Sequence, residues 1–242
     1  MFKGQRVLRI IALAGIIVMA GAGLSFCLDG ESLEDTNVFH TGGADVSIIN
    51  IATLHSVKRT VQVRLSQRVS EDTLRTIANK LYVPGYDRTF ILYLLAGMKV
   101  GEQIAWATTH FNPNLEIKVL GLTPTQLETL VALPSSSKPS PQELIGKWIW
   151  ELPYGSSNRI TIYKRNGNVY YERAFLDGSG SVEIMIERAS RQGRRFEDEE
   201  LNDYGDYYLL DKHGDLFLGD TEGIFEKLQK IDGIETSAAI RY

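Results

Sequence analysis

Two carboxylate pairs are the residues of this sequence with the clearest potential for catalysis. Glu183 and Glu187 lie close together in the chain, as do Asp215 and Asp220. Neighbouring carboxyl groups shift each other's pKa, and such a pair can hydrolyse a glycosidic bond. The sequence does not show whether the two members of either pair lie close together in the fold. A hydrolase with paired carboxylates is therefore one interpretation and not the favoured one.

Histidine, the commonest general base, is sparse in this chain. His40, His55, His110 and His213 are the only four, and none lies in an H-E-x-x-H motif. The sequence also lacks the G-x-S-x-G, G-x-G-x-x-G and G-x-x-x-x-G-K-S/T motifs of hydrolases and nucleotide-binding proteins. We therefore assign no catalytic residue and expect no cofactor.

Two segments contain groups that bind metal ions in other proteins. His213 lies between two aspartates in the segment 211–215, but the following glycine favours a solvated hairpin turn over a metal site. The acidic run 197–200, with Asp203 and Asp206, offers oxygen ligands for calcium but lacks the spacing and the glycine of an EF-hand loop. The sequence therefore predicts no metal site.

Aromatic residues are concentrated in the second half of the chain, where two adjacent tyrosine pairs occur. Alternation along a strand turns one member of each pair inward and the other outward, so at least one tyrosine of each pair stays partly exposed. Exposed tyrosines give contact area at little entropic cost, as at protein interfaces. The candidate binding residues are Tyr170, Tyr171, Tyr207, Tyr208 and Trp150.

A basic cluster lies near these tyrosines and consists of Arg188, Arg191, Arg194 and Arg195. One interpretation is contact with an anionic surface, such as lipid headgroups or a wall polymer. The other is neutralisation across a hairpin by the neighbouring acidic run, which we favour.

The region 143–231 contains these candidates, and its pattern predicts many short strands. Asn166-Gly167 is the strongest hairpin signal, because both central positions of a type I′ turn need a positive φ. Asp177-Gly178 and His213-Gly214 mark further turns. Strands of near-even spacing predict an antiparallel meander that curls toward a small barrel. The first predicted strand opens at Gly146, and the others cover 159–164, 168–175, 182–189, 194–198, 206–211, 216–219 and 224–231.

The Gly146-Lys147-Trp148 sequence resembles the opening of lipocalin-like barrels. This resemblance implies a barrel that begins at this strand. The region has about 90 residues, fewer than a usual lipocalin, which argues against a deep ligand cup.

The region 45–133 has a different pattern, which predicts a small α+β domain with one helical layer. Alternation predicts a strand over 60–66, and Ser70 is a good N-cap for a helix that ends before Pro84. The run 89–96 is apolar on both faces and predicts a central strand buried on two sides. Two more strands are expected over 104–111 and 115–120, and Thr123 with Gln126 forms a capping box for a helix to about residue 131. We describe the expected order as strand, helix, strand, strand, helix.

The stretches RTFILYLLAGM and AWATTHFNPNLEIKVLG in this region resemble a module of uncharacterised bacterial exported, lipoprotein-like proteins. The resemblance implies a bacterial origin and a compact domain, and it implies no activity and no site residue. Arg88, Tyr93, Trp106, Thr109 and His110 would line a groove if the module has one. Tyr93 and Trp106 lie in apolar strand patterns, so we expect both in the core.

The chain opens with a targeting pattern. An apolar run over 10–26 follows three basic residues, as in a secretory signal or a membrane anchor, which we assign to 1–28. Ala20 and Ala22 flank Gly21 in an A-x-A cleavage pattern. Cys27 stands where a bacterial lipoprotein signal places its lipidated cysteine, although Phe26 occupies a position that takes small residues. Cleavage, lipidation and a retained membrane helix all remain open.

Composition limits the remaining possibilities. A net charge of −4 over 242 residues argues against a general nucleic-acid binder, which needs a concentrated basic face. A single cysteine allows no intramolecular disulfide bond and no cysteine-based zinc cluster. The Pro- and Ser-rich stretch 134–142 predicts a linker between the two domains. We assign a tether to 29–44 and a flexible tail to 232–242.

These observations lead to one expectation and one alternative. We expect an exported, non-catalytic bacterial envelope protein, periplasmic or membrane-associated, that binds an envelope protein or a cell-wall component. The alternative is a cell-envelope hydrolase that uses paired carboxylates.

Overall fold

The computed structural model describes residues 38–101, 104–134, 142–198 and 205–231. Several predictions concern residues outside these ranges: the signal or anchor segment 1–28 with Cys27, residues 135–141 of the linker, and the tail 232–242. The described residues form two β-sheets and two α-helices, so the α+β class is confirmed at this level.

The first sheet has six strands that are neighbours in chain order. All of its pairs are antiparallel except β3 with β4, which run parallel and are joined by α1. The parallel pair requires a crossover, and the helix provides it. The elements are β1 (Val38–Thr41), β2 (Ala44–Leu54), β3 (Lys58–Leu65), α1 (Glu71–Leu81), β4 (Arg88–Leu95), β5 (Ala107–Phe111) and β6 (Leu115–Val119).

The sequence prediction omitted the hairpin of β1 and β2, and its expected order is therefore too short. Gly42 and Gly43 have φ values of 57° and 80°, which allow the tight turn between the two strands. A bulge between Ile48 and Asn50 shifts the register of β2 against β3. The bulge interrupts strict alternation, which is why the pattern did not reveal this strand. Part of the assigned tether 29–44 therefore belongs to the sheet.

Helix α1 covers one face of the first sheet. The Ser70 side chain accepts a hydrogen bond from the Thr73 amide, as the N-cap prediction requires. Leu74, Ile77, Ala78 and Leu81 are buried against the sheet. The same face of β4 contributes Ile91 and Tyr93, both fully buried. The opposite face of β4 is only partly covered, which corrects the prediction of a strand buried on both sides.

The second sheet has nine strands, all antiparallel, and forms a nearly closed barrel. The last two strands lie at opposite edges of the sheet, and Leu228 alone separates them in the chain. This continuous segment pairs with β13 on one side and with β7 on the other, which brings the two edges of the sheet together. The strands are β7 (Glu143–Trp150), β8 (Asn158–Arg165), β9 (Asn168–Phe175), β10 (Gly180–Ser190), β11 (Gly193–Asp198), β12 (Tyr207–Asp211), β13 (Leu216–Asp220), β14 (Gly223–Lys227) and β15 (Gln229–Lys230).

The predicted turns of this barrel are present. Asn166 and Gly167 have φ values of 51° and 82° between β8 and β9, as a type I′ hairpin needs. Packed side chains fill the barrel interior, among them Trp148, Ile162, Phe196 and Leu218. Gly146 lies on the same face as Trp148, and the indole ring occupies the space that a side chain at Gly146 would need. The Gly-x-Trp sequence is thus a packing unit of the barrel wall.

Helix α2 (Pro124–Ala132) lies outside the barrel. Its predicted capping box between Thr123 and Gln126 is present. Leu122, Leu127 and Leu130 pack with Ile149 of β7 in a small third core. Helix α2 therefore connects the first sheet to the barrel wall.

A buried arginine side chain caps the carboxyl end of each α-helix. In the first sheet, Arg59 Nη1 donates a 2.6 Å hydrogen bond to the Leu81 carbonyl at the end of α1. At the barrel, Arg159 is fully buried and donates to the carbonyls of Leu130, Leu133 and Pro134 at the end of α2. Burial lowers the pKa of both guanidinium groups. A cation at the carboxyl end of a helix complements its dipole.

Glu151, just after β7, joins the two sheets. Its carboxylate forms an ion pair with Arg68 and accepts a 2.7 Å hydrogen bond from the Leu122 amide. Trp106 Nε1 donates to the Leu122 carbonyl at 2.9 Å. The described residues belong to one compact unit that contains both sheets.

Candidate functional site

The first part of strand β10, over 181–184, has an inverted pattern, with apolar residues on the outer face of the barrel and polar residues on the inner face. Val182 and Ile184 are exposed by 42% and 46%, whereas Ser181 and Glu183 face inward. Apolar side chains that face solvent on a barrel wall lose the contribution that burial gives to stability. Such an exposed apolar face is typical of an interaction surface.

Two of the candidate tyrosines lie on the same outer face of the barrel as Val182 and Ile184 of β10. Tyr170 of β9 is paired with Ile184, and Tyr207 of β12 is paired with Glu197, which is itself paired with Ile186. We call this surface the outer stripe. It consists of Tyr170, Val182, Ile184, Ile186 and Tyr207. Both tyrosines are half-buried, which agrees with the prediction that one member of each pair stays partly exposed.

An arginine lies over the ring of each tyrosine in the outer stripe. The Arg165 guanidinium is 4.6 Å from the ring centre of Tyr170, and the Arg195 guanidinium is 3.7 Å from that of Tyr207. A hydrogen bond with the Arg165 side chain, and a weaker one with Asn168, lower the pKa of the Tyr170 hydroxyl. These contacts hold the rings in place, so a partner would meet an ordered aromatic surface.

The other members of the tyrosine pairs lie inside the barrel. Tyr208 donates a 2.7 Å hydrogen bond to the Tyr171 hydroxyl, and the ring centres are 4.7 Å apart. Arg173 lies near the Tyr171 ring and forms a 2.9 Å ion pair with Glu183. We call Tyr171, Arg173, Glu183 and Tyr208 the inner cluster. This cluster accounts for the polar inner face of β10.

Burial controls the protonation of the inner cluster. It raises the pKa of Tyr208 to about 12 and raises that of Tyr171 well above its ordinary value. Burial alone would lower the pKa of Arg173, but the tyrosine hydroxyls and Glu183 outweigh it and raise the pKa. The raised pKa values keep both tyrosines neutral at neutral pH, beside the ion pair of Arg173 and Glu183.

Trp150, the fifth candidate, also points into the barrel. Its indole Nε1 donates a 3.1 Å hydrogen bond to Glu226 Oε2 of β14. Burial raises the pKa of Glu226, and the indole hydrogen bond opposes that effect. Among the described residues, no cation forms an ion pair with this carboxylate.

Glu226→Gln should stabilise the protein at pH 7, since glutamine resembles the neutral acid that burial favours. A carboxyl group whose pKa is raised by folding contributes its full stability below the pKa of the unfolded chain, and this contribution is lost as pH rises. The advantage of the Glu226→Gln variant over the wild type should thus disappear below about pH 4. Urea unfolding between pH 3 and 8 measures it, with exposed Glu143→Gln as the control. An equal effect at every pH would contradict the expectation.

The carboxylate pairs proposed for hydrolysis are not brought together. Along a strand, the Cα atoms of Glu183 and Glu187 are separated by about 13 Å, and the Cα atoms of Asp215 and Asp220 by about 16 Å. Paired carboxyl groups in glycosidases are about 5–9.5 Å apart. Cations hold three of these groups separately: Arg173 pairs with Glu183, Lys164 and Arg194 with Glu187, and Lys227 with Asp215.

The structure also describes the predicted turn at His213 and the surroundings of the basic cluster. Asp211 Oδ1 accepts hydrogen bonds from the backbone amides of His213 and Asp215, as in a hairpin turn. Glu197 forms ion pairs with Arg188 at 2.9 Å and with Arg195 at 2.5 Å, so the acidic strand neutralises part of the basic cluster. Over the described ranges, no three His, Cys, Asp or Glu side chains meet in a metal-binding arrangement.

The first sheet divides its five candidate groove residues between the core and the surface. Tyr93 and Trp106 are in the core, as expected, and the Tyr93 hydroxyl is 3.0 Å from the buried Thr109 hydroxyl. His110 stacks on Phe90 with ring centres 4.0 Å apart, and Arg88 is exposed at the start of β4. These five residues do not line a common groove.

Sequence reasoning missed the apolar members of the outer stripe. The alternation of Val182, Ile184 and Ile186 would ordinarily place those residues in the core. In the structure, Glu183 and Ser181 pair with Tyr171 and Arg173 on the inner face, which leaves Val182 and Ile184 on the outer face. This register depends on pairing between strands, so the sequence contains no signal for it.

No protein-family model matches the chain, and searches of the curated proteins and of the solved structures find no match. Neither α-helix in the described part of the chain has the length and apolar character needed to cross a membrane.

Proposed function

We propose that this chain is an exported, non-catalytic bacterial envelope protein, periplasmic or membrane-associated, that binds an envelope protein or a cell-wall component through the outer stripe. The observation that supports this proposal is the inverted pattern of β10. It leaves Val182 and Ile184 exposed on the same face as two tyrosines, each of which has an arginine over its ring. Aromatic, aliphatic and arginine side chains on one surface are the composition of binding interfaces.

The ion pairs of the barrel support binding over catalysis. Arg173 and Lys164 each neutralise a carboxylate that hydrolysis would require. Two neutral tyrosines fill the space between the walls of the barrel at the inner cluster. The outer stripe, by contrast, has apolar area and ordered rings available to a partner.

Retention of the purified chain on isolated bacterial cell walls tests the proposal. Tyr170→Ala combined with Tyr207→Ala should weaken retention at least about tenfold, because truncating an aromatic anchor at an interface commonly costs about 1–2 kcal/mol or more. Tyr154→Ala is the matched control, since Tyr154 is 68% exposed and lies outside the stripe. Walls treated with protease distinguish the two partners: retention survives if the partner is the wall polymer and is lost if the partner is a protein. Equal retention of all three proteins, or none by the wild type, would contradict the proposal.

One observation favours the alternative of an envelope hydrolase. The pKa of Glu226 is raised by burial, a property of general acids. Glu226 lies on β14, and three strands separate it in the sheet from Glu183 on β10. Release of soluble sugars from the same cell walls by the wild type, and its loss in Glu226→Gln, would favour this alternative.

A further inference from the structure

The outer face of the first sheet contains a pocket of about 270 Å³ that is separate from the barrel. Its floor is the uncovered face of three neighbouring strands, with Gln62 on β3, Leu92 and Leu94 on β4, and Thr108 on β5. Val100, Ile104 and Leu120 complete most of the apolar wall. Helix α1 covers the opposite face of the sheet, so the core does not use this space.

The segment after β4 is fixed beside the pocket by backbone contacts. Arg64 Nη1 donates a 2.9 Å hydrogen bond to the Met98 carbonyl, and the Met98 amide donates to the Leu95 carbonyl at 3.1 Å. Both contacts tie the start of this segment to the sheet. They hold Met98, which lies two residues before Val100 of the pocket wall.

Gln62 gives the pocket its chemical preference. Its Oε1 atom is buried and has no hydrogen-bond partner among the described residues. A buried acceptor without a donor costs free energy, so an unsatisfied group of this kind in a native structure requires an explanation. Gln62 is also one of the pocket residues. A ligand that places an N–H or O–H group beside Gln62 would remove this cost.

The volume sets the size of the ligand. An apolar cavity of about 150 Å³ holds one benzene molecule, so a pocket nearly twice as large accommodates roughly ten carbon atoms. The described residues of the apolar wall are aliphatic, which suits a flexible chain.

We propose that this pocket binds an aliphatic chain of medium length whose amide group donates a hydrogen bond to Gln62 Oε1. The proposal does not depend on the function assigned to the outer stripe. The chain would lie on Leu92 and Leu94, and its head would lie at the β3 side of the pocket. A medium-chain acyl amide is the simplest molecule with this chemistry.

Decanamide and methyl decanoate are the probes, because they share the chain and differ in the N–H donor. Calorimetry should show that the wild type binds decanamide about fivefold to tenfold more tightly than the ester, as expected for one hydrogen bond. Gln62→Met has a similar volume and lacks the amide acceptor, so it should bind both probes with equal affinity. If Gln62→Met does not fold, Gln62→Leu provides the same comparison.

A second variant tests the location. Ala105→Leu adds volume inside the pocket and should abolish binding of both probes, whereas Ala52→Leu on the exposed part of β2 should leave binding unchanged. Thermal unfolding of each variant confirms that it is folded. The proposal is overturned if the wild type binds neither probe up to its solubility limit, if Gln62→Met keeps the preference for the amide, or if Ala105→Leu binds as the wild type does.

Discussion

Arg159→Met is expected to lower the free energy of unfolding by about 3–5 kcal/mol, the cost of removing one partner from a buried ion pair. Arg159 and Glu172 both have fully buried side chains, with 3.9 Å between Nη2 and Oε1. Methionine has a similar length but carries no charge and no donor. The substitution removes the cation of this buried ion pair and the donors to three carbonyls at the end of α2.

Two further variants separate the charge from the packing. Glu172→Gln in the Arg159→Met background should restore about 1–2 kcal/mol, because it removes the carboxylate that has lost its buried arginine partner. Arg191→Met is the control, since Arg191 is exposed in a turn and the substitution should change stability by no more than about 0.5 kcal/mol.

Urea unfolding followed by circular dichroism measures all four proteins. A loss below about 1 kcal/mol for Arg159→Met would show that Arg159 is not required to hold α2 on the barrel. A double variant no more stable than the single one would assign the whole loss to the helix carbonyls.

The burial of Arg159 could not be predicted from the sequence. The sequence predicted β8 with Arg159 as its first residue, and the strand indeed extends over Asn158–Arg165. An arginine in a half-buried strand is ordinarily assigned to solvent. Only the packing of α2 on the outer face of the barrel buries it, and that contact joins segments far apart in the chain.

The sequence predicted the features that depend only on residues close together in the chain. Ser70 and the Thr123 capping box start the two helices as predicted, because a cap requires only residues within one turn. Asn166-Gly167 predicted its hairpin because positive φ is a property of those two residues. Strand β2 was missed because its bulge is set by pairing with β3.

The candidate site was predictable only in part. Alternation required the members of each tyrosine pair to separate, and the structure places Tyr170 and Tyr207 outside the barrel and Tyr171 and Tyr208 inside. The sequence could not decide which member faces inward, because the two residues of each pair are identical in type. Tyr171 shares the inner face with the ion pair of Arg173 and Glu183, a cross-strand contact that the sequence does not show.

Gly146→Ala is expected to lower the free energy of unfolding by about 2–3 kcal/mol, since overpacking a tight core has costs of this size. A Cβ atom at Gly146 would come within 2.6 Å of Cζ2 of Trp148. Trp148 is fully buried, and its Nε1 donates a 3.3 Å hydrogen bond to the Gly214 carbonyl, so the ring has little freedom to move. The added methyl group must therefore displace the ring or the strand.

A double-mutant cycle isolates this contact. Trp148→Leu destabilises the barrel by itself, but it removes the ring that the methyl group introduced by Gly146→Ala would meet. Gly146→Ala should consequently cost less than about 1 kcal/mol in the Trp148→Leu background, giving a coupling energy above about 1 kcal/mol. Additive losses would mean that glycine is required for the backbone conformation of β7 and not for the indole. A non-additive result would show that Gly146 and Trp148 form one packing unit, in which the absence of a side chain at the first position makes room for the largest side chain at the second.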